Sequence, residues 1–214
     1  MKIVAISDQH GVLPEIPPCD LLLIAGDICP VRNHGAHYQA AWLDTEFRQW
    51  LDTLRQVRQV VGIAGNHDFV FQNEPGLVPR DLRWTYLEDS LTEFECLTIW
   101  GTPWQPWFHE WAFNGTPELL QQKWALMPAQ LDILVVHGPP HGYGDAVPRR
   151  GGVEHTGCPH LLRRIEQIKP RLVVFGHIHE GRGEWRLGES ILANVTILDV
   201  RYHQAFPPWE WEMT

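Results

Sequence analysis

Short apolar runs recur along the chain, each stopped by Gly, Pro, Asn or Asp: Lys2–Ser7, Asp20–Ala25, Val57–Ala64, Leu97–Gly101, Ile133–His137 and Leu172–Gly176. Unbroken apolar stretches of roughly four to eight residues suit strands covered on both faces. A later run, Ser190–Val200, reads as one or two more strands. Between the runs the apolar period changes. Trp42, Phe47, Trp50, Leu51 and Leu54 recur at helical spacing and predict a helix over Tyr38–Arg55, and similar patterns predict helices over Thr116–Met127 and Pro159–Ile168. Thr116-Pro117-Glu118 has the form of an N-cap followed by Pro at the first helical position. Strands that alternate with helices predict an α/β sandwich. No repeat, low-complexity tract or Ser/Gly linker interrupts the 214 residues, so residues 1–214 are read as one domain.

Charge narrows the partners. The formal net charge is −9, with the charges scattered, which leaves no broad cationic face for a long nucleic acid. A small anionic substrate would instead need a local cationic centre. Twelve His against 17 Lys and Arg suggest bound metal ions as its source, because neutral imidazole is the commonest metal ligand. Cys19, Cys29, Cys96 and Cys158 stand apart without metal-binding spacing and read as reduced thiols. No apolar run reaches membrane-spanning length and no basic leader precedes the first strand, so the expectation is a cytoplasmic protein that does not enter a membrane.

The chemistry gathers at strand ends. The runs close in Ser7-Asp8-Gln9-His10, Gly26-Asp27, Gly65-Asn66-His67-Asp68, His137-Gly138-Pro139-Pro140 and Gly176-His177-Ile178-His179. Ligands of α/β sheets bind beyond the carboxyl ends of the strands, so these groups would converge. Each fragment alone is an ordinary turn, since Asp, Asn and Gly favour turns for conformational reasons. Five of them in order form a much more specific signal.

This order, DxH, GD, GNHD, H and GHxH, resembles the calcineurin-like metallophosphoesterases from Asp8 to His179, and Gly101-Thr102-Pro103-Trp104 brings it closest to the MPPED-like branch. The resemblance implies a four-layer α/β/β/α sandwich. It implies two divalent or mixed-valent metal ions, with Asp8, His10 and His179 on one, Asn66, His137 and His177 on the other, and Asp27 bridging. Oxygen and imidazole donors without thiolates suit Mn, Fe, Zn or Ni. Such a pair can lower the pKa of a shared water and clamp both oxygens of an in-line displacement. His67 would meet the phosphoryl or leaving oxygen, with Asp68 orienting its ring and Asn66 also at the phosphate. Gln9 stands where many relatives carry a smaller residue.

The branch implies a small phosphodiester or nucleotide substrate, such as a cyclic nucleotide. A phosphomonoesterase or protein phosphatase with the same metals remains open, and so does a metal- or nucleotide-binding scaffold without turnover. Trp104, Trp107, Phe108 and Trp111 are read mainly as cover for the core edge, with Trp104 or Trp107 expected within reach of a nucleobase. His34, His37, His109, His141, His155, His160 and His203 are read as surface or packing residues, with His141 able to line the cleft. Arg149, Arg150 and Arg182 are read as solvated, though each lies near a motif segment. The tail Pro207-Pro208-Trp209-Glu210-Trp211 is expected to pack on the body or on another copy.

Overall fold

A computed structural model describes residues 1–213. Its strands in chain order are β1 (Lys2–Ile6), β2 (Cys19–Ala25), β3 (Val57–Ile63), β4 (Thr85–Tyr86), β5 (Ser90–Phe94), β6 (Leu97–Thr102), β7 (Gln105–Pro106), β8 (Asn114–Gly115) and β9 (Ile133–Val136). They continue as β10 (Ala146–Arg149), β11 (Gly152–His155), β12 (Leu172–Phe175), β13 (Gly183–Leu187), β14 (Ser190–Asn194) and β15 (Trp209–Glu212). One sheet has the order β15-β1-β2-β3-β4 and the other β13-β14-β12-β9-β6-β5, with β10-β11 and β7-β8 as separate small pairs. Within the large sheets β1 to β4, and β14, β12, β9 and β6, run parallel; β15, β13 and β5 close the edges antiparallel.

The alternation of side chains along each strand builds three apolar layers. Ile3 and Ala5 of β1, Leu21 and Leu23 of β2, and Ile133 and Val135 of β9 meet between the sheets. Val4, Ile6, Leu22 and Ile24 face outward against Trp42, Phe47, Trp50 and Leu51. Leu134, Val136 and Val173 face outward on the other side against Leu120, Trp124, Leu161 and Ile165. Helix, sheet, sheet and helix therefore stack as the four layers expected, and both faces of the central strands are buried, which is why those runs carry no polar alternation.

The helices follow their signals closely. α1 (Ala36–Trp42) passes through a π turn at Leu43–Phe47 into α2 (Arg48–Thr53), where a single helix is predicted. A short α3 (Phe69–Asn73) follows the Asn66 segment. α4 (Pro117–Ala125) starts at the Thr116 cap, whose side-chain oxygen accepts from Leu119 N at 3.3 Å, and α5 spans Pro159–Ile168.

The edge strands β5, β13 and β15 and the short strands β4, β7, β8, β10 and β11 lie outside the predicted set. β13 and β5 alternate half-buried with exposed residues and lack an apolar run, and β15 reads Trp-Glu-Trp-Glu. The tail packs on its own body: β15 pairs with β1 in the register Ile3↔Trp211, and Trp209 and Trp211 lie against the inter-sheet core. The predicted Ser190–Val200 strand stops at Asn194, because the chain then crosses to the other sheet. Ser7 N donates to Val195 O at 3.1 Å and Ile197 N to Ser7 O at 3.1 Å, which ties the two sheets together beside Asp8. No helix of the described residues is long and apolar enough to cross a membrane.

Candidate metal centre

Parallel register sets the carboxyl ends of β1, β2 and β3, and of β9 and β12, along one rim. The chain turns sharply immediately past them. Asp8, His10, Asp27 and His177 all have positive φ, at 55°, 46°, 54° and 68°, a region that side chains with a Cβ adopt at a cost. The surrounding backbone holds them there: Asp8 N donates to Gly26 O at 3.0 Å and His10 N to Asp27 O at 2.8 Å. Two glycines leave the room. A Cβ at Gly65 would stand 2.3 Å from Asp27 Oδ1 and 2.7 Å from His137 Cε1, and one at Gly176 would stand 2.1 Å from Asp8 Oδ2.

The side chains released by these turns meet. Ligand atoms of Asp8, His10 and His179 lie within 4.8 Å of one another, as do those of Asp8, Asp27 and His137, and those of His10, Asp27 and His67. Asp27 Oδ2 lies 3.5 Å from His137 Nε2 and 3.6 Å from His10 Nε2, and Asp8 Oδ1 lies 3.7 Å from His179 Nε2. Asn66 Oδ1 completes the group, 2.8 Å from His137 Nε2 and 2.7 Å from His177 Nδ1. All seven predicted metal ligands thus come to one place. Asp27 stands between the Asp8 side and the Asn66 side.

Outer partners aim the donors. His137 Nδ1 donates to Ala25 O at 2.9 Å and His179 Nδ1 to Asp199 O at 2.9 Å, so each ring turns its Nε2 inward. The Asp8 carboxylate also accepts from His177 N at 2.9 Å, and Asp27 Oδ1 from His67 N at 2.7 Å.

Burial and charge oppose each other here. Burial pushes His10 down to about 3, and burial together with the neighbouring His137 pushes His177 down to about 4. Burial acts the same way on His137 and His179, but the charge of Asp27 beside His137, and Asp8 beside His179, outweighs it and lifts both to about 9. Burial would raise the Asp8 carboxyl, yet His179 and then His137 hold it at about 2. Asp27 is likewise kept well below the usual carboxylate range against its burial, chiefly by His137 and His67.

These residues fit divalent cations. His10 Nδ1 is buried without a hydrogen-bond partner, while its Nε2 is 3.6 Å from Asp27, beyond hydrogen-bond range. Two buried carboxylates 3.5–3.7 Å from three imidazoles are spaced too widely to bond to one another. The donor set of carboxylate, amide and imidazole is that of a borderline divalent ion. Asp8, His10 and His179 would hold one, Asn66, His137 and His177 a second, and Asp27 both.

With this geometry established, comparison with known proteins is decisive. The family profile described as calcineurin-like phosphoesterase matches residues 1–181. The chain belongs to that family. It is 34% identical over 235 aligned residues to human metallophosphoesterase domain-containing protein 1, covering 97% of this chain and 69% of that protein. A Caenorhabditis elegans UPF0046 protein is 34% identical over 220 residues, covering 86% and 52%. Among solved structures, the phosphopantetheinyl hydrolase of Mycobacterium tuberculosis superposes with a TM-score of 0.56 at 16% identity, covering 94% of this chain and 90% of that one. The sequence resemblance to the MPPED-like branch is therefore shown, and the family supports a metal-dependent phosphoester hydrolase.

Around the family's ligand set, three expectations need correction. Asp68 does not orient the His67 ring. Its carboxylate accepts from Ile28 N at 3.0 Å, Cys29 N at 2.7 Å and Gly65 N at 2.8 Å, and so braces the turns that carry Asp27 and Asn66. Burial, aided by the charge of Asp27, raises its carboxyl to about 6. The partner of the His67 ring is His34, read from sequence as a surface or packing residue: His67 Nδ1 lies 3.1 Å from His34 Nε2. Trp111 lies against the same ring, tilted by 44° with centroids 4.1 Å apart. Arg182 is not free in solvent: it is half-buried, and its guanidinium donates to Thr196 O at 2.8 Å and Pro207 O at 3.1 Å.

Tyr202 was not singled out in the sequence, and it walls the centre with its ring 4.8 Å from His10 and 5.3 Å from His179. Only its place after the Asp199 turn, itself bonded to His179, could have drawn notice. His141 lies 3.5 Å and His155 2.8 Å from the buried Asp145.

Proposed function

We propose that the protein is a dinuclear metal-dependent phosphodiesterase acting on small phosphodiesters such as cyclic nucleotides. The observation that carries this reading is the convergence of two carboxylates, four imidazoles and one amide beside a cavity of about 410 Å³. That volume suits a small ligand. Two divalent ions of the Mn, Fe, Zn or Ni class, bound there, would supply the Lewis acidity that polarises a phosphoryl oxygen and lowers the pKa of a water. The chain's own residues do the rest. In this reading Asn66 would hold a phosphoryl oxygen, and His67 would give a hydrogen bond to the phosphoryl or the leaving oxygen.

The cavity favours a diester over a monoester. It borders His177 and is lined by Trp107, Phe108 and Arg149 together with Glu154 and Glu180. Arg149 is already paired with Glu154 at 2.7 Å. A dianionic monoester would find two carboxylates and no spare cation there, whereas a monoanionic diester bearing a flat or apolar substituent meets the aromatic wall. Trp107, with 63% of its surface exposed, is the aromatic placed to stack a base. Trp104 is committed elsewhere, donating from Nε1 to Asp89 at 3.1 Å beneath Lys123.

Four free thiols, three of them buried, support a cytoplasmic setting. Metal-reconstituted protein should show the higher kcat/KM on bis-p-nitrophenyl phosphate than on p-nitrophenyl phosphate, and should hydrolyse 2′,3′- or 3′,5′-cyclic nucleotides. The reverse preference would make it a monoesterase. Two bound metals with no hydrolysis of either class would leave a binding scaffold.

A further inference from the structure

The backbone of His67 is fixed from both sides, yet its ring is fixed from only one direction. His67 N donates to Asp27 Oδ1 at 2.7 Å, and the buried Gln39 donates from Nε2 to His67 O at 2.7 Å while accepting from Val70 N at 2.9 Å. The imidazole touches His10 edge-on at 4.8 Å between centroids and lies against Trp111, and neither contact distinguishes one ring nitrogen from the other. The side chain within hydrogen-bond distance of a His67 ring nitrogen is His34, whose Nε2 lies 3.1 Å from His67 Nδ1. His34 is itself held in place: its ring packs on Phe69 at 5.1 Å and Trp111 at 5.3 Å, and Asn33 Oδ1 accepts from Gly35 N at 2.8 Å to shape the turn that presents it.

A neutral imidazole carries one N–H, and the nitrogen engaged by a neighbour decides where it sits. If a neutral His67 is to give a hydrogen bond to a phosphoester oxygen, its Nε2 must carry the hydrogen and its Nδ1 must accept. A neighbour that donates to Nδ1 enforces that state. We propose that His34 is a positioning residue that donates from Nε2 to Nδ1 of His67, fixing His67 as the Nε2–H tautomer with that edge toward the substrate. This assignment rests on the proposed role of His67 at the phosphate. It replaces Asp68, whose carboxylate is spent on backbone N–H groups, with a neutral orienter that adds no negative charge beside the leaving oxygen.

The test compares His34→Phe, which keeps the packing against Phe69 and Trp111 but cannot hydrogen-bond, with His34→Gln, which can. On a diester with a poor leaving group, His34→Phe should lower kcat about 10- to 100-fold, the range typical of partners that orient a site residue. KM and metal content by elemental analysis should hold, and His34→Gln should recover most of the loss. The loss should shrink on a p-nitrophenyl diester, whose stabilised leaving oxygen gains less from a donated hydrogen bond. In a His67→Ala background, His34→Phe should cost nothing further, because the two act as a unit. Wild-type turnover in His34→Phe, or an equal loss in both backgrounds, overturns the proposal.

If His34→Phe does not fold, ¹⁵N NMR of the metal-free wild type and of His34→Gln decides. A single Nε2–H tautomer at His67 supports the assignment, and a mixture or the Nδ1–H form overturns it. That spectrum is read without turnover, so a wild type inactive on every phosphoester would sink the proposed function and leave the His34 assignment separately tested.

Discussion

His137 Nε2 stands 2.8 Å from Asn66 Oδ1, a contact between residues 71 apart in the chain, and the same nitrogen lies 3.5 Å from Asp27 Oδ2. The pair draws one member from each sheet, so the centre exists only when the sheets are stacked. Asn66→Ala should therefore leave the fold intact and weaken metal binding by more than about 100-fold, exceeding the loss typical of mere outer-shell partners. Competition titration with a chromophoric chelator measures this, and unchanged affinity would remove Asn66 from the ligand set.

Proton linkage gives a second expectation. In the metal-free protein, Asp27 beside His137 and Asp8 beside His179 hold these imidazoles protonated up to about pH 9. Both values lie above the ordinary 6.5, so these ion pairs stabilise the metal-free fold fully below pH 6.5 and are lost as pH rises through about 9. Metal ligation requires both rings neutral. Loading at pH 7 should release protons, approaching two, and loading above pH 9 should release far fewer from this pair. Calorimetry in buffers of different ionisation enthalpy counts them; a pH-independent count would contradict the assignment of His137 and His179 as ligands. The melting temperature of the metal-free protein should also fall between pH 6.5 and 9 more steeply than that of the loaded protein.

The close approach of Gly176 to Asp8 is testable sterically. With a Cβ at 2.1 Å from Asp8 Oδ2 and Ser7 also in contact, Gly176→Ala must displace the carboxylate or the strand end. Far-ultraviolet circular dichroism should stay native in shape while metal affinity falls by at least about 10-fold, the lower bound for disturbing a ligand's surroundings. Normal affinity and activity in Gly176→Ala would mean that the site has more slack than the structure gives it.

How far this arrangement was legible in the sequence follows from what each residue depends on. The strands β1, β2, β3, β9 and β12 are buried on both faces, so their apolar runs announce them, and the ligands follow because they sit at fixed steps past those runs. β15 was not legible: its Trp-Glu-Trp-Glu alternation is edge-strand patterning, and its partner is at the opposite end of the chain. The misassigned role of Asp68 has the same origin. Adjacency to His67 suggested a ring contact, but a short carboxylate amid three backbone N–H groups satisfies them first, and which N–H groups surround it is set by the β2 turn about 40 residues away. His34 lies 33 residues from His67, on a turn that no apolar period marks, and only the tertiary structure joins them.

The aromatic wall gives the last prediction. Trp107 and Phe108 are exposed on the cavity that borders His177, while the nearby Trp104 is held by Asp89 and Lys123. Stacking on one base is worth about 1–3 kcal/mol, so Trp107→Ala should raise KM for a cyclic nucleotide by about 5- to 150-fold. A substrate without a base has nothing to stack and should be hardly affected, so KM for a dialkyl phosphate should stay near the wild-type value. If Trp107 acts only in holding the base, kcat should change little for either substrate. A fall in kcat with KM constant would place Trp107 in the transition state rather than in substrate recognition, and equal effects on both substrates would show that the wall senses bulk alone and carries no preference for a base.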